Sequence, residues 1–450
     1  MNSRNKIMYF LGIGGIGMSA LARWYNHQGA TIFGYDLNRS PLTDELITED
    51  MTLHFDADIS QIPENIDIVV YTPAIPSDNI ELVYLKNTKI PIFKRAELIG
   101  QITKDYTTIA VAGTHGKTSI SALTAHLLKH SGADVTAFVG GICRNYNSNL
   151  ILSNSTEYLI IEADEYDRSL LQLEPDIAII SSMDEDHLDI YQNHDDIKTT
   201  FTSFAQKLSI DGVLIHNSKL DPFYNIPGKH ISYGITANSS IFASNIHVSN
   251  KKFVFDIDTD IGKLKDIEIQ VPGIHNIENT LAAIAVAIEI GLSIPEIVSG
   301  IKTFKGVERR MDFRIVNENI IYIDDYAHHP EEIKATISAV KALYPNKKIT
   351  GIFQPHLFSR TRDFTREFAK ELSELDEIIL MEIYPAREKP IQGITSHTLL
   401  DYIDNKSAQL MNSKEILNYL SDNQPEVLLT MGAGDIGLLV KEIEKLLLNN

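Results

Sequence analysis

Cysteine is almost absent. Cys143 is the single one in 450 residues, so no internal disulfide is possible and nothing points to an oxidising compartment. Basic charge is also scarce: 40 Lys and Arg face 60 Asp and Glu, a formal net charge of -20. No broad positive field is offered to nucleic acid or to an anionic membrane, so neither is an expected partner. An anionic small ligand must instead be met by local cations or backbone N–H groups. No apolar run approaches the ~20 residues of a membrane span. There is no short-period repeat, no Pro- or Ser-rich linker and no low-complexity tail.

The first residues, MNSRNKIMYFLGIGGIGMSALA, combine basic residues, an apolar run and a small-residue end, as signal peptides do. The run also holds four glycines and reads as strand, loop and helix, which is the preferred reading. The expected compartment is the cytoplasm. Apolar residues make up 44% of the chain and charged ones 22%, an ordinary globular balance. A chain of 450 residues exceeds one typical core.

Short apolar runs alternate with helical patterns along most of the length, which predicts βαβ units on parallel sheets. Strands are expected at 7–11, 31–35, 67–71 and 91–93, with a helix over 18–28. A new start follows Tyr106, with a strand at 107–112, a helix over 120–130, and strands at 158–163 and 177–182. Alternating segments between 212 and 271 read as a small antiparallel addition. A third start follows Arg310, with strands at 319–323, 349–353, 377–383 and 427–431 and a helix from Glu331. Three α/β domains are expected, 1–105, 106–310 and 311–450.

VAGTHGKTS, Val111 to Ser119, lies between a strand and a helix. The standard phosphate loop G-x-x-x-x-G-K-[ST] would need glycine where Val111 stands. Gly113, Thr114, His115 and Gly116 could still offer backbone N–H groups to phosphate. Lys117 would supply a point charge, and Thr118, followed by Ser119, a hydroxyl for magnesium. The competing reading is a plain strand–turn–helix with a solvated lysine. Lys117 is expected to face ligand rather than core, so that folding survives its removal. Glu162 in EADEYD and His187 in DEDHLD fall at the carboxyl ends of neighbouring strands, where open α/β sheets bind ligands. Glu162 suits Mg²⁺, which prefers carboxylate and phosphate oxygens. His187 is a less usual partner, and a surface acid cluster or helix cap is equally open for that segment.

GIGGIG, Gly12 to Gly17, places Gly12, Gly14, Gly15 and Gly17 after a strand and before a helix, with Asp36 closing the next strand. This is the dinucleotide pattern, which by itself says only that a diphosphate could sit there. Tight turn packing is the alternative. Two phosphate-type loops imply two phosphorylated ligands, which disfavours a simple dehydrogenase. Further candidates are His275, Asn276 and Asn279 opening an Ala-rich helix, and Arg310, Arg360 and Arg362 as fixed cations. Asp325, Tyr326, His328 and His329 are expected in a loop after a buried strand.

Together GIGGIGMSALA, VAGTHGKTS, EADEYDRSLLQLEPD, DEDHLD, PGIHNIENTLAAIAVA, GVERRMDF, DDYAHHPEEI, QPHLFSRTRDF, YPAREKPIQGITS and MGAGDI resemble the Mur ligases, in order and over nearly the whole chain. The family's loop is the shorter GTxGKT[ST] form, so Val111 is no defect. The resemblance implies a Rossmann-like N-terminal domain for a UDP-sugar, a central P-loop ATPase-type domain and a Rossmann-like C-terminal domain. The alanine-adding branch is the nearer match. It implies that ATP phosphorylates the lactyl carboxylate of UDP-N-acetylmuramate and that L-alanine attacks the acyl phosphate.

By the same resemblance Lys117 contacts the transferred phosphoryl group, and Thr118 and Glu162 bind one magnesium. His187 binds a second. His275, Asn276, Asn279, Arg310 and Asp325 contact ATP. His328, Arg360 and Arg362 hold the alanine carboxylate and the intermediate. The glycine loop, with Asp36, holds the UDP-sugar. Two departures are Ala327, where glycine is common in DDYGHHP, and Tyr166, which replaces a small residue in EADES. No lysine is assigned the modified, metal-bridging role found in some sister ligases. Rival readings are a ligase recycling murein tripeptide onto the same UDP-sugar, an NAD(P)-dependent oxidoreductase, and a nucleotide-binding module without turnover. A monomer or homodimer is expected.

Overall fold

The computed structural model describes residues 4–184, 191, 194–220, 223, 225–386 and 388–449. Among the described residues the strands form three sheets. The first holds β1 (Ile7–Leu11), β2 (Thr31–Tyr35), β3 (Thr52–His54), β4 (Ile68–Tyr71) and β5 (Ile92–Lys94). They lie in the order β3-β2-β1-β4-β5, and every pairing is parallel. The order reverses beside β1, so the crevice beyond its carboxyl end opens at a switch point. GIGGIG lies there.

The second sheet has ten strands: β6 (Thr107–Ala112), β7 (Val135–Cys143), β8 (Ser148–Ile151), β9 (Tyr158–Ala163), β10 (Ile177–Ile180), β11 (Val213–Asn217), β12 (Lys229–Gly234), β13 (Ile241–Ser249), β14 (Lys252–Thr259) and β15 (Gly262–Ile269). Their order is β15-β14-β13-β12-β11-β10-β6-β9-β7-β8. Strand β6 lies between β10 and β9, parallel to both. Its TTIAVA run is buried from Thr108 onward, as a strand covered on both faces must be. The turn between β13 and β14 is Asn250–Lys251, both at positive φ (50° and 58°). That is the two-residue hairpin geometry, so the antiparallel addition expected over 212–271 begins only at this turn; β11 and β12, inside the same stretch, pair in parallel, as β12 does with β13.

The third sheet holds β16 (Asp312–Val316), β17 (Ile321–Asp325), β18 (Ile349–Phe353), β19 (Glu377–Leu380), β20 (Ala408–Leu410) and β21 (Val427–Met431). Its order is β16-β17-β21-β18-β19-β20. Among the described residues of this sheet, β16 alone runs antiparallel. Strand β17 starts two residues later than the sequence suggests. Asn317 accepts from the N–H groups of Asn319 (2.9 Å) and Ile320 (2.8 Å), an Asx turn that postpones the strand. Asp325 is consequently the last residue of β17 rather than a loop residue.

The chain divides into two compact units: Met1–Ser244, Asp256–Lys265 and Glu278–Phe304 in one, and Asn245–Phe255, Asp266–Ile277 and Lys305–Asn450 in the other. Within the first unit one apolar cluster joins Met8, Phe10 and Trp24 to Ala110, Phe138, Leu159 and Ile180. The first and second sheets therefore share a core. Trp24 lies 5.9 Å from Phe138 and edge-on to Tyr106 at 6.1 Å. No helix among the described residues is long and apolar enough to cross a membrane.

Candidate active site

Strand β6 ends at Ala112, and the chain then turns sharply into the helix Lys117–His130. Gly113 has φ +133° and Gly116 φ +84°, backbone that favours glycine. Space makes the same demand. A Cβ on Gly113 would stand 2.1 Å from Ser181 Oγ, and one on Gly116 2.5 Å from Asn279 Oδ1. The loop is stitched to the end of β10: Ser181 Oγ donates to the His115 carbonyl at 2.5 Å, and His115 N–H to Ser182 Oγ at 2.8 Å. Thr114 Oγ1 donates to the Asp184 carbonyl at 3.0 Å. Val111 sits inside β6, opposite Ile179 and Glu162, so the loop begins only at Gly113. The helix begins three residues before its apolar period, and Lys117, Thr118 and Ser119 form its first turn. First-turn N–H groups have no partner within a helix, an arrangement that suits an anion.

Lys117 is not a solvated lysine. Its Nζ donates to Glu165 Oε2 at 2.7 Å, Glu165 Oε1 at 2.9 Å and the Gly113 carbonyl at 2.5 Å. Its side chain is 17% exposed and that of Glu165 5%. Burial works against the ammonium charge, but Glu165, Asp164 and Glu162 outweigh it and hold the pKa above the usual lysine value. Beside this pair Thr118 Oγ1 donates to Glu162 Oε2 at 3.1 Å, and Gly140 N–H donates to Glu162 Oε1 at 2.5 Å. A hydroxyl and a carboxylate thus stand together at the mouth of the loop. Hard oxygen donors of this kind fit Mg²⁺, which takes one or two carboxylates and completes its shell with phosphate and water. Among the described residues there is no group of three or more His, Cys, Asp or Glu side chains that could hold a metal alone. His187 lies outside the described residues.

At the first sheet, Gly14 N–H donates to Asp36 Oδ2 at 2.8 Å, so Asp36 braces the glycine loop itself. Gly17 falls in the first turn of the helix Ile16–His27, and Arg95 Nη1 lies only 2.0 Å from where its Cβ would be. Sequence reasoning missed Arg95, which stands 78 residues from Gly17 in the chain and has no motif around it.

In the helix Ile274–Glu289, Asn279 faces Gly116, whereas Asn276 gives its amide to the Pro272 carbonyl at 2.8 Å and meets His275 Nε2 at 3.0 Å.

The second unit has its own polar centre. Arg309 and Arg310 both lie against the Tyr326 ring, at 5.2 and 4.9 Å. Asp325 accepts from the N–H groups of Met311 and Ala327, each at 2.9 Å. Burial pushes its carboxyl up to about 6, against the pull of Arg310. His328 Nδ1 is 2.9 Å from the Tyr326 carbonyl and 3.2 Å from Glu332, and its ring meets that of His356 at 6.0 Å. The buried Arg360 reaches His356 Nδ1 at 3.3 Å. Arg362 instead holds its neighbour Asp363 at 2.7 Å. His356 stands inside QPHLFSRTRD and Glu165 inside EADEYD. Both were visible in those motifs, and neither was singled out.

Comparison with known proteins gives this geometry a class. Residues 7–107 match the Mur ligase family catalytic domain, 111–287 the Mur ligase middle domain and 309–434 the Mur ligase glutamate ligase domain. The chain belongs to the Mur ligase family. It is similar to a UDP-N-acetylmuramate–L-alanine ligase of Flavobacterium psychrophilum, 47% identical with 97% of both chains covered. A protein of the same name from Christiangramia forsetii is 45% identical over 99% of this chain and 98% of its own. The crystal structure of a UDP-N-acetylmuramate–alanine ligase from Thermotoga maritima superposes with TM-score 0.82 at 26% identity, covering 99% of this chain and 98% of that one.

Proposed function

We infer that the protein is an ATP-dependent ligase that joins L-alanine to the lactyl carboxylate of UDP-N-acetylmuramate in peptidoglycan precursor synthesis. It forms an amide bond and releases ADP and phosphate. Near-full-length identity of 47% with a ligase of that name carries the reading, and the Lys117–Thr118–Glu162 constellation supplies the chemistry it needs. A murein peptide ligase from Psychrobacter arcticus shares the fold at 21% identity, which speaks for fold alone.

The reaction begins when a lactyl carboxylate oxygen attacks the γ-phosphorus of ATP and ADP leaves. Two anions must meet, so charge has to be screened where it develops. Lys117 would move from Glu165 to the β- and γ-phosphates, guided by the N–H groups of residues 113–119. Thr118 and Glu162 would hold Mg²⁺, which neutralises phosphate charge. His187 is assigned a second magnesium on the family resemblance. Asn279, with His275 and Asn276, would flank the nucleotide, and Arg310 and Asp325 would complete its site. The alanine amine then attacks the acyl phosphate carbon, and phosphate leaves from the tetrahedral intermediate. His328, Arg360 and Arg362 would hold the alanine carboxylate and that intermediate. Gly12, Gly14, Gly15 and Gly17, braced by Asp36, would cradle the UDP diphosphate. In this reading residues 1–105 bind the UDP-sugar, 106–310 bind ATP and 311–450 complete the site. A cytoplasmic location is part of this reading.

Phosphate release with UDP-N-acetylmuramate, Mg²⁺, ATP and each amino acid in turn tests the reading. Release that depends on L-alanine is expected. Release only with murein tripeptide would transfer the protein to the recycling branch. NAD(P)H binding at GIGGIG without phosphate release would exclude a ligase.

A further inference from the structure

A chain of charges links the two glycine loops, and the mechanism above makes no use of it. Arg95 opens the helix Arg95–Ile102. Its Nη1 covers Gly17, the last residue of GIGGIG. Its Nη2 donates to Asp164 Oδ2 at 3.3 Å. Asp164 adjoins Glu165, the carboxylate that grips Lys117 at 2.7 Å. Lys94 adds a second tie, to Asp167 at 2.7 Å.

The joint is tight. A Cβ on Gly100 would stand 2.3 Å from the Gln172 carbonyl, so the helix is pressed onto the turn Tyr166–Gln172. Asp167 and Arg168 in that turn have φ +54° and +52°, conformations unfavourable for L-residues that persist only when surroundings impose them. Arg168 is held in turn by Asp196 at 2.8 Å.

A guanidinium can serve two acceptors at once through separate nitrogens, which an ammonium cannot do in fixed geometry. Nη1 faces the glycine loop while Nη2 stays on Asp164. We propose that Arg95 is a positioning residue: a diphosphate on the GIGGIG loop fixes its guanidinium and, through Asp164, the segment that holds Lys117, so that sugar-nucleotide binding strengthens ATP binding. The inference rests on the UDP diphosphate lying on that loop. The Arg95 and Asp164 side chains are 26% and 39% exposed, and partly exposed pairs are weak. The coupling therefore falls at the low end of the allosteric range, about fivefold.

The test is calorimetric binding of a non-hydrolysable ATP analogue with Mg²⁺, with and without saturating UDP-N-acetylmuramate. The ratio of the two dissociation constants is taken within each variant, so weaker binding of either ligand does not obscure it. Wild type is expected to show about a fivefold ratio, and Arg95→Gln and Asp164→Asn a ratio near one. The double variant should match either single, as members of one pathway do. Arg95→Lys should restore only part of the effect. A wild-type ratio retained in Arg95→Gln, or a ratio of one in wild type when both ligands bind, overturns the inference alone. Failure of wild type to bind UDP-N-acetylmuramate overturns the proposed substrate and the inference with it.

Discussion

Lys117 carries two duties at the residue scale, and they separate experimentally. In the proposed reading it is the cation of the phosphate loop, and in the structure it is the counter-charge of the nearly buried Glu165. The sequence suggests a lysine whose loss leaves folding intact; the ion pair implies otherwise. Removing one partner of a buried pair leaves a charge uncompensated, at a cost of up to about 3–5 kcal/mol. Lys117→Ala should lose turnover and also unfold at lower temperature. Adding Glu165→Gln should recover most of the stability and none of the turnover. A single variant as stable as wild type would show that the pair is structurally idle.

Asp325 makes a second prediction at this scale. Its carboxyl is raised from 3.8 to about 6, so the folded state favours the protonated form. The stability this contributes is complete below pH 3.8 and is lost as pH rises through about 6. At 1.36 kcal/mol per unit, the loss is roughly 3 kcal/mol across that window. Urea unfolding between pH 4 and 7 should show a falling component that disappears in Asp325→Asn. An unchanged slope in the variant would assign the pH dependence elsewhere.

At the scale of the element, the glycine loop shows how sterics and chemistry coincide. Gly116 needs glycine for its φ of +84° and for the approach of Asn279. Gly116→Ala should strain the turn by about 1 kcal/mol and push Asn279 off the loop. Turnover at limiting ATP is expected to fall at least about tenfold, the equivalent of 1.4 kcal/mol, with a smaller change at saturating ATP. Equal losses at both concentrations would place the effect on chemistry rather than on nucleotide binding. The strands β1, β2, β6, β9, β18 and β21 were legible to the residue, because each is an apolar run bounded by turn residues. The helix Lys117–His130 was read three residues short, because its first turn, Lys117 to Ser119, is polar. Such a turn lacks the periodicity by which helices are recognised.

For the whole molecule, the residues assigned to ATP and to the amino acid come from different stretches of chain and, in part, from different compact units. A reaction served by residues from several domains implies closure on binding. The radius of gyration from small-angle scattering should therefore fall when an ATP analogue and UDP-N-acetylmuramate are added together. No compaction with both ligands bound would count against a closing mechanism. The first sheet and the part of the second sheet that lies in the first unit should respond as one body, because Met8, Phe10, Trp24, Phe138 and Leu159 belong to a single core. Arg23 reinforces this, donating to Asn149 at 2.5 Å across the same junction.

The succession of strands along the chain, the two glycine loops and the choice of Lys117, Thr118 and Glu162 as candidates were legible in the sequence, because each depends on neighbours within a few positions. Periodicity, turn chemistry and strand-end motifs are local properties. The grip of Glu165 on Lys117, the packing of Asn279 on Gly116, the bridge through Arg95 and the shared core were decided only in three dimensions. Each joins groups 48 to 163 residues apart or joins whole sheets. No local pattern records which distant side chain will fill the space that a glycine leaves open.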